Sequence, residues 1–183
     1  LKGISVKHPD DISAVLDVAL DQNYQFLFLD ATGGNADWAS ELMNQPRFEL
    51  LSETVIEMRR RKKEEALVLI YSGGVRSGTD AARLIALGAN AVVYGVAAAL
   101  ALGGEIGQSQ IEWRSDRAPG ERTDGLTSIL NAHAGEASMM ARCTGKTCLH
   151  NLEPEDLRSV TLATSAATNI PVPGHNVTRA RLL

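Results

Sequence analysis

Three of the apolar segments in this sequence are followed by turns that contain glycine. Those turns are Thr32-Gly33-Gly34, Ser72-Gly73-Gly74 and Gly95-Val96. Glycine lets bare backbone N–H groups approach a ligand, and the start of a following helix adds partial positive charge. A single glycine turn more often serves only to redirect the backbone than to bind a ligand. The second and third turns, however, lie in consecutive strand–helix units. Together they predict a phosphate-binding site.

Three charged side chains are candidates for the same site. Lys2 is predicted near the end of the first strand, where its ammonium group would face the same site. Asp30 follows an apolar run and either binds a ligand or caps its own turn, and turn capping is favoured. Arg76 either pairs with a phosphate or is solvated, and the sequence leaves both interpretations open.

Other chemistries have little support in the sequence. Its four histidines are not spaced as metal ligands, so no metal site is predicted. Cys143 and Cys148 are its only cysteines, which excludes a disulfide scaffold and is too few for a typical iron–sulfur cluster. We also find no nucleophile-elbow sequence of the kind that acyl-transfer hydrolases use.

The candidate site depends on an alternation of strands and helices. Short apolar runs predict strands at 26–29, 67–71 and 91–94, and residues 1–6 are predicted to be a strand and its exit. Helical spacing predicts helices at about 9–20, 48–61, 79–87 and 96–102. Strands that alternate with helices in this way are parallel and joined by right-handed crossovers. Either an open doubly wound sheet or a barrel would satisfy the pattern.

Composition and charge restrict the class of protein. The 183 residues are 44% hydrophobic and carry a net charge of −4, as expected of a globular domain that binds a small molecule rather than nucleic acid. No apolar run is long enough to span a membrane, and a cytoplasmic location is expected. After residue 102 the sequence becomes polar and loop-like up to about 123. Two further helices are predicted, one ending near 141 and one over about 153–167.

The segment 71–80, YSGGVRSGTD, and the following 86–92, ALGANAV, resemble the FMN-binding barrel of glutamate synthase. Downstream, TGK at 144–146 and HNLEPEDL at 150–157 resemble the C-terminal extension of stand-alone glutamate synthase-like proteins, including the large subunit of N-methylglutamate synthase. The resemblance implies an α/β fold, the C-terminal half of a TIM (β/α)8 barrel at 1–105, followed by a helical C-terminal extension at 106–183.

The resemblance also implies FMN as the cofactor and assigns residues to it. Lys2 would lie at the N1/O2 edge of the flavin as the catalytic cation. The remaining residues fall into two groups. Ser72, Gly73, Gly74, Arg76, Gly95 and Val96 would bind the ribityl chain and phosphate, whereas Thr32, Gly33 and Gly34 would line the substrate side.

Two departures from the family pattern are visible. No cysteine follows Leu102-Gly103, where glutamate synthases begin a cluster motif, so a 3Fe–4S cluster is not expected. The segment 30–37 also lacks two glycines of the family's substrate loop.

The implied activity is FMN-dependent reductive amination of 2-oxoglutarate to glutamate, through 2-iminoglutarate formed with ammonia or an amine. The implied partners are the N-terminal half of the barrel and a glutaminase-type subunit. A non-catalytic scaffold, built from a truncated or degenerate barrel, is the alternative that the departures favour. A phosphate-binding barrel without flavin would explain the glycine turns but not the C-terminal segment.

Overall fold

A computed structural model of the chain describes residues 1–32, 47–107, 111–113 and 116–174. Four parallel strands alternate with helices, and an antiparallel hairpin and two more helices follow. The strands are β1 (Gly3–Val6), β2 (Phe26–Asp30), β3 (Val68–Ser72), β4 (Ala91–Val93), β5 (Gly104–Ile106) and β6 (Ile111–Trp113). The helices are α1 (Ile12–Asp21), α2 (Phe48–Arg60), α3 (Gly78–Ala86), α4 (Val96–Ala101), α5 (Pro119–Cys143) and α6 (Leu162–Thr168).

The main sheet has the order β1-β2-β3-β4, and each neighbouring pair is parallel. One face of this sheet packs against the helices. Its buried side chains include Val6, Leu27, Leu29, Leu69 and Tyr71, which join residues of α1, α2 and α3 in a single core. Each helix turns an apolar stripe toward these strands, as amphipathic spacing requires.

The opposite face of the sheet is only partly covered by the described residues. Phe28 and Ile70 are half-buried there, and Val68 is 47% exposed. A doubly wound sheet carries helices on both faces and reverses its strand order, whereas a barrel keeps the order and turns one face inward. Sequential strands with helices on a single face therefore match the barrel and not the open sheet.

The region after α4 differs from its sequence-based prediction. Residues 104–113 include β5 and β6, which pair antiparallel, so this stretch is not a plain loop. The proposed boundary between residues 105 and 106 falls inside β5. Helix α5 already begins at Pro119, a residue that suits the first turn of a helix because its missing N–H group is not needed there.

The second predicted helix of the extension is much shorter than expected. Pro154 begins only a 3₁₀ turn, Pro154–Asp156, and the α-helix starts at Leu162. The Asp156 carboxylate accepts a hydrogen bond from the backbone N–H of Glu153, and Lys146 contacts the same carboxylate at 2.9 Å. These contacts hold a single turn, and the backbone then returns to an extended conformation at Leu157.

Helix α5 lies directly against α3. Small side chains make this approach possible, because Ala82 and Ala86 of α3 share a buried cluster with Ala137 and Ala141 of α5. The closest point is Gly78, at which an added Cβ would lie 2.1 Å from the carbonyl oxygen of His133. The extension is thus packed onto the last part of the barrel sequence through a backbone-to-backbone contact.

We expect Gly78→Ala to destabilise the natural full-length protein. A methyl group at this position would overlap the α5 backbone, and such overpacking costs about 1–3 kcal/mol of unfolding free energy. Thermal and urea denaturation would measure the loss.

Gly135→Ala on α5 is the matched control, because its Cβ meets no heavy atom within 4 Å. That control should raise stability by about 0.5–1 kcal/mol, since alanine favours a helix over glycine. Equal stability of the two variants would contradict the packing described.

Candidate functional site

The carboxyl ends of the four parallel strands form one edge of the sheet. In the strand register Asp30 pairs with Ser72, and Ser72 pairs with Val93. Val6 pairs with Leu29, so Lys7 follows next to Asp30 on the same line. Because side chains alternate between faces along a strand, Lys7, Asp30 and Ser72 belong to the face away from the helices. Ligands of parallel α/β folds bind at this edge.

A cation and a carboxylate lie side by side at this edge. The Lys7 Nζ is 3.8 Å from Asp30 Oδ2, with the lysine side chain 52% exposed and the aspartate 17% exposed. The other oxygen of Asp30 accepts a hydrogen bond from the backbone N–H of Thr32 at 3.1 Å. Asp30 therefore caps its turn, as the sequence favoured, and also faces a lysine. The ammonium group is on the half-exposed side of the pair and its contact with Asp30 is long, so it can also contact a ligand at this edge.

The glycine turn after β3 has a backbone that other residues adopt only with strain. Gly73 and Gly74 are buried and have φ angles of +129° and +69°. An added Cβ on Gly73 would lie 3.0 Å from the backbone carbon of Ala31 and 3.1 Å from the N atom of Thr32. The backbone N–H of Ala31 also donates to the Ser72 carbonyl at 2.8 Å. The exits of β2 and β3 are therefore held against each other, with no room for a side chain between them.

The turn after β4 lies at the same edge of the sheet. Gly95 is exposed and directly precedes α4, whereas the side chain of Val96 is buried with 3% exposure. Only the backbone of Val96 could therefore contact a ligand. Tyr94, immediately before this turn, places its hydroxyl 3.5 Å from the Ser77 carbonyl oxygen and so links the second turn to the first.

Arg76 does not extend freely toward a ligand. Its backbone N–H and its Nε both donate to Asp80 Oδ2, at 3.2 and 3.3 Å, in the first turn of α3. The guanidinium is half-exposed and paired with Asp80 of the helix that follows it, so both interpretations that the sequence left open remain. Only the Nε of its guanidinium is bonded to Asp80, which leaves the terminal nitrogens as candidate donors to a phosphate.

Lys2 lies at the opposite edge of the sheet from the glycine turns, so its predicted placement is corrected. It precedes β1, where its carbonyl accepts a hydrogen bond from Gln25 N–H and its ammonium lies 4.5 Å from the ring centre of Tyr24. Gln25 and Tyr24 come just before β2, which places Lys2 at the amino ends of the strands. A lysine there contributes a cation–π contact to the fold and lies one strand length away from the site.

Lys7 is the site residue that the sequence reasoning missed. The two lysines flank the first strand, and the sequence-based prediction ended that strand near Lys2, whereas the strand begins after Lys2 and ends before Lys7. One signal was available in the sequence, because Lys7 comes two residues before Pro9, at which the next helical segment begins. Gly33 and Gly34 lie outside the described residues, while Thr32 ends the described part of its turn.

The described residues offer few other places for chemistry. Cys143 and Cys148 are both free and exposed. Within the described ranges no group of three histidine, cysteine, aspartate or glutamate side chains could hold a metal ion. The helices described are all too short or too polar to cross a bilayer.

Comparisons with known proteins agree with this architecture. The family model for FMN-dependent dehydrogenases matches residues 47–112. A glutamate synthase large subunit-like protein of Rhizobium meliloti (strain 1021) is 30% identical, and the match covers 78% of this chain and 39% of that protein. The recombinant flavin-binding domain of baker's yeast flavocytochrome b2 superposes with a TM-score of 0.63 at 23% identity, over 93% of this chain and 37% of that one. A point mutant of flavocytochrome b2 superposes with a TM-score of 0.64 at 24% identity, over 93% of this chain and 38% of that one.

These findings first define the fold: the parallel strands and their helices are part of a (β/α)8 barrel similar to that of FMN-dependent dehydrogenases. The predicted fold class, a half barrel with a helical extension, is confirmed. Within that class, the resemblance to the FMN-binding domain of glutamate synthase-like proteins is confirmed as well. The chain spans 39% of the length of that relative.

The residues present fit FMN. Gly73 and Gly74 form a turn without side chains, which is here called the Gly73–Gly74 cradle; both have positive φ angles, and a Cβ on Gly73 would press on the neighbouring strand exit. Backbone of this kind can approach a phosphate closely. On the same edge, Lys7 supplies a positive charge for the negative charge that a reduced flavin ring carries. The prediction of FMN as cofactor is thereby supported from both the comparisons and the donor set.

Proposed function

We propose that this chain forms the phosphate-binding part of a glutamate synthase-like oxidoreductase that uses FMN. The observation that carries the proposal is the row of Lys7, Asp30 and Ser72 beside the Gly73–Gly74 cradle, on a chain related to a glutamate synthase large subunit-like protein. When bound, reduced FMN supplies a hydride, and an imine of 2-oxoglutarate with ammonia or an amine accepts it, with a proton, to give glutamate or an N-substituted glutamate.

The protein's own residues have three tasks in this proposal. Backbone N–H groups of the Gly73–Gly74 turn and of Gly95 and Val96 hold the phosphate, since preorganised backbone donors bind anions without strain. Ser72 lies one residue before the cradle and faces the ribityl chain. Lys7 takes the position that the resemblance assigned to Lys2 and stabilises negative charge on the flavin ring by its ammonium group. Asp30, fixed by Thr32, keeps Lys7 at that edge.

Arg76 stays a candidate phosphate ligand in this scheme. Its contact with Asp80 orients the side chain, and Asp80 also lies 3.6 Å from Arg83. The substrate side is assigned to Thr32, with Gly33 and Gly34 carried over from the sequence-based prediction.

Two partners belong to the proposal. The partly exposed sheet face, with Val68 47% exposed and Phe28 half-buried, is covered by the remaining strands of a barrel, in the same polypeptide or in an associated one. The ammonia is delivered by a glutaminase-type subunit, as in the family that the sequence resembles.

Flavin titration tests the cofactor, and a reoxidation assay tests the reaction. The natural full-length protein should quench FMN fluorescence at equimolar FMN. Photoreduced under anaerobic conditions, it should then be reoxidised by 2-oxoglutarate together with ammonia or methylamine, and not by 2-oxoglutarate alone. Pyruvate with ammonia serves as the matched 2-oxo acid control. Failure to bind flavin would favour the scaffold alternative, and reoxidation independent of the amine would exclude reductive amination.

A further inference from the structure

The start of helix α3 is closed by a residue of the extension. The Glu136 carboxylate of α5 accepts a hydrogen bond from the Gly78 N–H at 2.8 Å and another from the Thr79 hydroxyl. The Thr79 backbone also donates to it. These contacts, the Thr79 hydroxyl first, hold the pKa of Glu136 below its usual range.

The remaining donors at this helix start are satisfied by Ser77. Its Oγ accepts from the Asp80 N–H at 3.1 Å, and its carbonyl accepts from the Ala81 N–H at 3.2 Å. The first N–H groups of a helix lack a partner within the helix, and here those of Gly78, Thr79 and Asp80 are bonded to side-chain oxygens. These three groups are therefore not free for a flavin phosphate, which the proposed site binds through the preceding Gly73–Gly74 turn.

The same stretch of α5 also contacts the second turn. The His133 ring lies 4.7 Å from the Tyr94 ring, centre to centre, and Tyr94 directly precedes Gly95. His133 and Glu136 are three residues apart and thus neighbours on one side of the helix. The His133 carbonyl also lies against Gly78, as the 2.1 Å distance to an added Cβ shows. One turn of the extension helix therefore touches both loops that the proposed phosphate site uses.

We propose that Glu136 and His133 are positioning residues of the flavin phosphate site, through which the C-terminal extension sets the separation of its two backbone loops. This inference rests on the proposed FMN function. Glu136 fixes the loop that ends in Ser77, and His133 fixes the loop that contains Gly95 through Tyr94. Neither side chain touches the flavin. Preorganised donors bind an anion more tightly than donors that must be ordered at each binding event.

Riboflavin, which lacks the phosphate, distinguishes this role from general stabilisation. Affinities for FMN and riboflavin would be measured by fluorescence quenching on the natural full-length protein. In Glu136→Ala we expect FMN affinity to fall about 10-fold, because a charge-assisted anchor of the loop is lost, while riboflavin affinity changes less than about 2-fold. Glu136→Gln retains an acceptor for the Gly78 N–H and should recover part of the loss.

Asp124→Asn provides the matched control, since Asp124 is an exposed acidic residue on the same helix. It removes the same charge and should leave both affinities unchanged. Should Glu136→Ala fail to fold, Thr79→Val removes one donor to the same carboxylate, and its ratio of FMN to riboflavin affinity decides the question in the same way.

Three results would overturn the inference. They are an equal loss for FMN and riboflavin, no loss for either flavin, and tighter FMN binding in Glu136→Ala, which would mean that the carboxylate acts by repelling the phosphate. A wild-type protein that binds no FMN overturns the proposed function instead, and the wild-type titration alone reveals that outcome.

Discussion

Replacing Lys7 by methionine should lower the rate of amine-dependent flavin reoxidation by 2-oxoglutarate about 100- to 1,000-fold, the usual effect of removing one preorganised charge-stabilising donor. Lys7 closes β1 at the edge that carries the glycine turns, 3.8 Å from Asp30. Methionine keeps the length of the side chain and removes the charge. The half-exposed ion pair adds little to stability, so the melting temperature should change by no more than a few degrees. Stopped-flow absorbance at the flavin band measures the rate.

Lys2→Met is the matched control for this experiment. It removes the same charge from the other end of the same strand, where the ammonium lies over Tyr24. The loss of an exposed cation–π contact costs about 0.5–1 kcal/mol of stability and should leave reoxidation within about 2-fold of wild type. A larger rate effect for Lys2 than for Lys7 would exclude our assignment of the cation.

Gly73→Val should abolish tight FMN binding, with an affinity loss of about 100-fold or more. The φ angle of +129° is strained for any residue with a side chain, and the new Cβ would press on Ala31 and Thr32 at 3.0 and 3.1 Å. The turn must shift, and each charge-assisted backbone bond to the phosphate that is lost costs about 1.5–3 kcal/mol. Fluorescence titration with FMN and with riboflavin measures the change. Riboflavin affinity should fall less, because riboflavin makes no phosphate contacts.

Gly120→Ala controls for the loss of a glycine as such. Its Cβ meets no heavy atom within 4 Å, and it lies in the first turn of α5, so FMN affinity should stay at the wild-type value. A Gly73→Val protein that folds and binds FMN as tightly as the control would show that the phosphate lies elsewhere.

Much of the fold could be predicted from the sequence because its signals are local. The runs 26–29 and 67–71 carry the continuous apolar character of buried parallel strands, and the structure has β2 and β3 there. The period of the α2 sequence predicted a helix at 48–61, and the helix spans Phe48–Arg60. The helix predicted at 153–167 failed, because contacts of Lys146 with Asp156 favour a single 3₁₀ turn at Pro154. Lys146 lies outside the residues from which this helix was predicted, so their pattern could not show the contact.

The sequence by itself determined the strand–helix alternation, the glycine turns and the resemblance to an FMN-binding barrel, since each depends on residues close together in the chain. The tertiary structure decided which lysine shares an edge with those turns, because that depends on the direction of β1 and on its register with β2. It also decided that Glu136 closes a helix 57 residues earlier, at Thr79. Contacts between distant segments follow from how whole elements pack, and no local pattern of residue types records them.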